Sequence, residues 1–149
     1  MAIRIKDNGA SKVLATVGSF SSRAPAIDVG VIGESTSREE GLTNAIIAEI
    51  HELGLGVPER SWLRAWIDEN QKEIQSTLDL LNRQVAQGRI TSDQYAHRFG
   101  AWAVSQIQAR ISARIDPPLA QSTIDRKGSS VPLIDSGQFR TSINHRKHK

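Results

Sequence analysis

The sequence predicts an α+β fold in which a small antiparallel sheet packs against a long antiparallel helical hairpin. Two apolar stripes with steps of three and four residues follow one another between residues 59 and 115, and only residues 87–90 separate them. Upstream of both stripes, short segments alternate apolar and polar side chains, as half-buried strands do. With 149 residues, the chain has the length of a single domain.

The strands are predicted near the start of the chain. Residues 2–6 alternate apolar and basic side chains and are followed by the turn dipeptide Asn8-Gly9. Residues 26–33 form a second predicted strand. Its one apolar face consists of Ile27, Val29 and Val31. Residues 34–41 are polar and charged and lie between glycines, so we expect a mobile loop there.

The helical region begins at residues 42–53, where mostly apolar positions recur at helical spacing until Gly54 ends the segment. These positions are Leu42, Ala45, Ile46, Glu49, Ile50 and Leu53. From Glu59 a second stripe predicts one long amphipathic helix, with Gly88 as its C-cap. The members of this stripe are Leu63, Ile67, Ile74, Leu78, Leu81 and Val85.

The second helix of the hairpin is predicted to begin at Thr91, a good N-cap, with Gln94 three residues later to complete a capping box. Its stripe consists of Tyr95, Phe99, Trp102, Ile107, Ile111 and Ile115. Pro117 then ends the helix, because proline cannot continue the hydrogen-bond ladder. Residues 118–127 have room for one or two further helical turns.

A compact element and a basic tail close the sequence. A turn at Asp135-Ser136-Gly137 precedes a short amphipathic helix, which Asp135 or Ser136 would cap. From Arg126 onward six Lys or Arg residues accompany one acidic residue, so the net charge of +3 is concentrated at this end. The tail, residues 144–149, either contacts nucleic acid or an acidic protein surface, or is a solvated, disordered end.

The residue patterns predict no catalytic, cofactor or metal site. His51-Glu52 begins like a zinc-protease motif, but position 55, which requires a second His, holds Leu. Asp135-Ser136 lacks the Gly-x-Ser-x-Gly elbow of hydrolases. The lack of cysteine excludes disulfides and thiolate ligands, and no apolar run approaches the roughly 20 residues of a membrane span. We therefore expect no enzymatic activity, no cofactor and no membrane association.

The tryptophans have two interpretations. Trp62, Trp66 and Trp102 lie near arginines and could stack on nucleic-acid bases. Tryptophans at helical spacing are more often anchors in a core or an interface, and we favour that interpretation. Arg60 follows Pro58, which fixes the chain direction, so we expect its guanidinium to bind a carboxylate or carbonyl groups across a joint.

Two segments resemble one known family. Residues 47–70, IAEIHELGLGVPERSWLRAWIDEN, resemble the segment of tailed-phage virion morphogenesis proteins that runs Ala-x-Ile-His-Glu-Phe-Gly, a short spacer, then Pro-x-Arg-Pro-Phe-Leu-Arg. Residues 132–143, PLIDSGQFRTSI, resemble the C-terminal Pro-Leu-Ile-Asp-Thr-Gly-x-Leu-x-x-Ser-Ile of the same family. Order and spacing match, and the similarity covers the chain from about residue 26. The departures keep size or polarity and fall at Leu53, Ser61, Trp62, Ser136 and Phe139.

The resemblance implies a structural subunit of the phage neck or tail top, without catalysis, which completes the tail and joins it to the DNA-filled head. Its implied partners are copies of itself in a ring, for which six-fold symmetry is preferred to twelve-fold, and neighbouring connector, stopper, tail-tube or terminator proteins. Its location would be the virion, after assembly in the host cytoplasm. The alternative function is a nucleic-acid-binding module that uses the basic tail and the Trp/Arg cluster.

The expected contacts follow from these roles. Contacts with other subunits or partners are expected at Arg60, Trp62, Arg64, Trp66, Pro132, Leu133, Asp135, Gly137, Phe139 and Arg140. Contacts with DNA in the channel or with an acidic surface are expected at Arg146, Lys147 and Lys149. Phe139 and Ile143 are also expected to face the core, and their segment to return as an edge strand that pairs with a neighbouring subunit.

Overall fold

A computed structural model describes residues 26–32, 41–113, 115–128 and 137–148. These residues form six helices and two strands in the predicted α+β arrangement. In chain order the elements are β1 (Ile27–Val31), α1 (Asn44–Leu53), α2 (Arg64–Glu69), α3 (Gln71–Ala86), α4 (Ser92–Ser112), α5 (Gln121–Lys127), α6 (Gln138–Ser142) and β2 (Ile143–Lys147). The predicted strand at residues 2–6, residues 34–40 of the predicted mobile loop, and residues 131–136 lie outside the described ranges.

The predicted helical hairpin is formed by α3 and α4. Its predicted capping box is confirmed, whereas the predicted C-cap, Gly88, lies one residue past the actual C-cap, Gln87. Thr91 Oγ1 accepts a hydrogen bond from the Gln94 N–H at 3.2 Å, and Gln94 Oε1 accepts one from the Thr91 N–H at 2.9 Å. Gly88 has a φ of 67° just after the end of α3, a left-handed conformation that glycine adopts without steric cost. The two caps define the short turn at which α4 returns along α3.

The long helix predicted from Glu59 is wrong in its first part, because the chain there forms two helices that meet at Asn70. The Asn70 backbone has φ −115° and ψ 22°, outside the helical range. The Trp66 carbonyl accepts both from the Asn70 N–H at 3.1 Å and from the Asn70 side-chain Nδ2 at 2.8 Å. Ile67, a member of the predicted stripe, is 44% exposed.

The sheet consists, among the described residues, of β1 and β2 paired antiparallel, with Ile27 opposite Lys147 and Val31 opposite Ile143. Both strands contact α4, as predicted for a sheet on a helical hairpin. Because side chains alternate along a strand, the odd-numbered ones face α4 and the even-numbered ones face away. The expectation of a disordered C-terminal tail is therefore wrong for residues 144–147, which belong to β2.

The buried side chains form two clusters along the hairpin. The larger lies between α1, α2, the C-terminal half of α4, α6 and the sheet, and contains Ala48, Trp62, Trp66, Ala103, Ile107, Ile111, Ile115, Phe139 and Ile143. The smaller lies at the turn of the hairpin and contains Leu81, Val85, Ile90 and Tyr95. Phe139 and Ile143 are 1% and 3% exposed, so the prediction that they face the core is confirmed.

Candidate assembly interface

Helix α1 turns an apolar face to solvent. Ile46, Ile50 and Leu53 lie at positions i, i+4 and i+7 and therefore share one side of the helix. Ile46 is 42% exposed and Leu53 is 52% exposed. Leu42 and Leu55, just before and just after the helix, are also exposed. We refer to Leu42, Ile46, Ile50, Leu53 and Leu55 as the α1 apolar face.

The opposite side of α1, which faces the core, carries both polar and apolar side chains. Asn44 and Ala48 are buried there, His51 and Glu52 are half-buried, and Ile47 packs on the core. An amphipathic helix in a soluble domain normally buries its apolar stripe, so α1 is rotated relative to the usual arrangement. The helical spacing of residues 42–53 was predicted correctly, but the face that it marks is turned away from the core.

Glu52 explains this rotation, because its carboxylate binds the next segment of the chain. Oε2 accepts hydrogen bonds from the backbone N–H groups of Trp62 and Leu63 at 2.9 and 3.0 Å. Oε1 accepts from Ser61 Oγ at 2.7 Å and from the Arg64 N–H at 3.0 Å. These backbone groups precede and begin α2, where free N–H groups and the helix dipole favour an anion.

The electrostatic result of this arrangement is a lowered pKa of Glu52. Burial on its own raises the pKa of this carboxyl, but the bonds from Leu63, Ser61, Arg64 and Trp62 together outweigh burial and bring the pKa below its ordinary value. Glu52 is therefore an ionised carboxylate that holds α1 against the start of α2. The His51-Glu52 pair begins like a zinc-protease motif, but its Glu52 carboxylate serves to hold α1 against the start of α2.

Arg60 is a second fixed joint and confirms its predicted role at a corner. It is 4% exposed. Its Nε donates to the Pro117 carbonyl at 2.8 Å, and its Nη2 donates to the Pro118 carbonyl at 3.2 Å. The guanidinium thus ties the loop before α2 to the segment after α4, and burial lowers its pKa. In this position the side chain is not available at the surface as a partner contact.

The structure places Trp62 and Trp66 in the core, contrary to the expectation that they contact a partner. They are 3% and 6% exposed. Trp62 packs edge-on against Phe139 with ring centroids 5.4 Å apart, and its Nε1 donates to the Ala48 carbonyl at 3.1 Å. Trp66 packs on Trp102 at 5.9 Å. Because these aromatic rings are buried inside the chain, they stabilise the subunit and leave little aromatic surface for contacts with a partner.

The other expected contact residues are divided between the surface and segments outside the described ranges. Arg64 is exposed and ion-paired with Glu59, and Arg140 is exposed with its Nη1 donating to Ser112 Oγ at 3.1 Å. Gly137, with φ 78°, precedes α6, so it marks a turn. Phe139 is buried and does not form a contact surface. Outside the described residues lie Pro132, Leu133 and Asp135.

The basic residues near the C-terminus have partners within the chain. Arg146 Nε lies 3.0 Å from Asp28 Oδ2 on the outer face of the sheet, and Lys147 Nζ lies 2.6 Å from Asp93 Oδ1 on α4. The hydrogen bond from Arg146 lowers the pKa of Asp28. Both pairs lie at the surface, where Arg146 and Lys147 are 65% and 50% exposed, so the expected DNA contact at these two residues stays a prediction. Lys149 lies outside the described residues.

An open cleft of about 490 Å³ lies beside α2 and the end of α4. Its polar lining includes Ser61, whose Oγ donates to Glu52 and accepts from the Ala65 N–H at 3.0 Å. It also includes Arg110 and Glu69, which are ion-paired with each other. The Ser61 hydroxyl therefore caps a helix and is not poised as a nucleophile. Within the described ranges, no group of three or more His, Cys, Asp or Glu side chains is arranged to hold a metal ion.

Sequence reasoning missed the α1 apolar face, which is the feature of this structure best suited to contact another molecule. The signal was present in part, because Asn44, His51 and Glu52 share one side of the predicted helix, whereas Ile46, Ile50 and Leu53 share the other. Elsewhere, no helix in the described part of the chain is both long and apolar enough to cross a bilayer.

Comparisons with protein-family models, curated proteins and solved structures found no match to this chain.

Proposed function

We propose that this chain is a structural subunit that assembles with copies of itself into a ring in the neck or tail top of a long-tailed phage. In that position it would complete the tail and join it to the DNA-filled head. The observation that carries this proposal is the α1 apolar face, an exposed apolar surface on a helix that buries Asn44 and half-buries Glu52 on its other side. Exposed apolar surface of this kind is typical of protein–protein contacts.

The two segments that resemble phage virion morphogenesis proteins also support the proposal. Residues 47–70 and 132–143 are separated by about sixty residues in the sequence, yet Trp62 of the first packs against Phe139 of the second. Helices α1 and α6, one from each segment, are in contact. Contact between the two segments is expected if they form one structural unit. It would not be expected if each similarity had arisen by chance.

The energy available from the α1 apolar face suits a repeated contact. Complete burial of a Leu or Ile side chain contributes roughly 1.5–3 kcal/mol, so a side chain that is already half-buried would contribute about 1 kcal/mol more. The four exposed members of the α1 apolar face together give about 4 kcal/mol before the costs of association. These members are Leu42, Ile46, Leu53 and Leu55. One contact of this size is weak. In a closed ring each subunit makes two such contacts, and these contacts together stabilise the oligomer.

The proposed partners are a second copy of the chain at the α1 apolar face, in a ring of six in preference to twelve, and the neighbouring connector, stopper, tail-tube or terminator proteins above and below. The proposed location is the virion. The alternative, a nucleic-acid-binding module that uses the basic tail and the Trp/Arg cluster, is less favoured, because Trp62 and Trp66 are buried.

The test is the mass of the purified chain in solution, measured by light scattering over a range of concentrations. We expect the wild-type chain to form a closed oligomer and Leu53→Glu to remain monomeric, because a charge at the contact centre must lose its water without a partner. The matched control is Leu80→Glu, since Leu80 on α3 is 50% exposed and lies outside the α1 apolar face. A monomeric wild-type chain, or equal loss of assembly in both variants, would contradict the proposal.

A further inference from the structure

Two histidines from different elements meet where the C-terminal strand packs on the hairpin. His97 on α4 and His145 on β2 have ring centroids 5.1 Å apart, and His97 Nδ1 lies 3.1 Å from His145 Nε2. This is a hydrogen-bond distance between two imidazole nitrogens, so one nitrogen carries a proton and the other accepts it. The bond therefore requires that one of the two facing nitrogens be unprotonated.

The surface of α4 is shaped for the His145 ring. Gly100 lies one turn after His97, and a Cβ added at Gly100 would lie 2.2 Å from His145 Cδ2 and 2.4 Å from its Cγ. No real Cβ has such contacts, so any larger residue would push the ring away. Glycine inside a helix is unfavourable, and here it makes room for the ring. His145 is therefore a point at which β2 docks closely on α4.

Among the described residues, His97 is the titratable group in direct contact with His145. The other charged side chains near β2 have partners elsewhere. The residue opposite His145 on β1 is the apolar Val29. Lys147, two residues further on the same face, binds Asp93 on α4. Asp28, Arg146 and His148 interact with one another on the opposite face of the sheet. Arg98, next to His97, is turned toward Gln84 on α3.

Protonation of both rings would place two N–H groups against each other and two positive charges within about 5 Å. Burial, together with the charge of His97, accordingly lowers the pKa of His145 below its ordinary value of 6.5. The docked strand thus binds fewer protons than the released strand near that pH. Docking is fully favoured above pH 6.5 and weakens as the pH falls from there toward the lowered pKa.

We propose that His97 and His145 form a proton-sensitive latch, which holds β2 on α4 at neutral pH and loosens the strand at mildly acidic pH. Loosening separates Lys147 on β2 from Asp93 on α4, and so frees the Lys147 ammonium from its ion pair. The proposal concerns the strand alone and does not depend on assembly through the α1 apolar face.

The experiment is amide hydrogen exchange of the full chain by NMR, expressed as protection factors at about pH 7.5 and about pH 5.5. We expect the amides of β2 to be less protected at the lower pH than at the higher one, by a factor larger than the error between repeat measurements. Buried amides of α4 around Ile107 should keep theirs. In His97→Asn, which retains a hydrogen-bonding side chain but cannot be protonated, the loss should be much smaller.

The control is His148→Asn, one residue past the end of β2 and paired with Asp28 on the opposite face of the sheet, which should behave as the wild type does. A direct reading comes from the ring proton shifts of His145 during a pH titration, which should give a pKa below 6.5 in the wild type and a value nearer to 6.5 in His97→Asn. Equal protection of β2 at both pH values in the wild type, or the same loss in His97→Asn as in the wild type, would overturn the proposal.

Discussion

The Glu52→Gln substitution tests how α1 is held in its rotated orientation. Glutamine keeps the size of the side chain but replaces one accepting oxygen with an amide NH₂, which cannot accept from the backbone N–H groups that the carboxylate binds. Two of the four bonds are then lost. A hydrogen bond to a charged group contributes about 1.5–3 kcal/mol, and these bonds are only partly buried, so we take the lower value for each and expect a loss of about 3 kcal/mol.

The loss should appear as a lower midpoint of thermal unfolding, followed by circular dichroism at neutral pH. For a chain of this length, 1 kcal/mol corresponds to about 2–4 °C, so we expect a decrease of about 6–12 °C. Glu49→Gln is the matched control, because Glu49 lies on the same helix and is exposed. Its midpoint should change little, since exposed substitutions away from such features stay within about 0.5 kcal/mol.

The pH dependence provides an independent check. The pKa of Glu52 is lower in the folded chain than its ordinary value of 4.5, so its contribution to stability is present above that pH and is lost as the pH falls through the lowered pKa. The stability difference between wild type and Glu52→Gln should therefore shrink on acidification. A midpoint within 2 °C of wild type at neutral pH, or a difference independent of pH down to about pH 3, would refute this role of Glu52.

Three further substitutions test other parts of the structure. Arg60→Met removes the charge-assisted bonds to the Pro117 and Pro118 carbonyls, together with the longer bond to the Pro58 carbonyl, and should lower the free energy of unfolding in urea by about 2–4 kcal/mol. Gly137→Val should lower it by about 1–3 kcal/mol, because a β-branched residue resists the positive φ at this turn. Gly100→Ala should lower it as well, because the added Cβ overlaps the His145 ring, and it should be better tolerated when combined with His145→Ala.

Controls separate these effects from general damage. Arg60→Lys keeps the charge but not the planar fork, so it should recover only part of the lost stability. Gly137→Asn should cost less than Gly137→Val, since Asn tolerates the left-handed region and no atom lies within 4 Å of an added Cβ. Wild-type stability in Arg60→Met or Gly137→Val, or equal effects of Gly100→Ala with and without the His145 ring, would contradict the corresponding contact.

The features predicted correctly from the sequence depend on local signals. The capping box at Thr91, the glycine after α3 and the alternation of Ile27, Val29 and Val31 all act within a few residues, and each appears in the structure as expected. The corner at Arg60 was also predicted, because Pro and Arg limit what that position can do. For all of these, residue type and spacing determine the geometry with little help from the rest of the chain.

The features that were missed depend on contacts between distant residues. The orientation of α1 follows from partners of Glu52 that lie nine to twelve residues later. The order of the C-terminal residues follows from β1, more than a hundred residues earlier, whose Asp28 pairs with Arg146. The break between α2 and α3 falls at Asn70, without any Gly or Pro to signal it. Periodicity detects a helix, but it does not tell which face meets the core.

The most direct measurement of the proposed function is electron microscopy of a lysate from a phage that carries a nonsense codon early in the gene for this chain. We expect DNA-filled heads and separate tails. The wild-type chain and Leu80→Glu supplied from a plasmid should restore joined particles, whereas Leu53→Glu should not. Joined, infectious particles in the absence of the chain would contradict the proposed function, and empty heads would place the protein at an earlier step than joining.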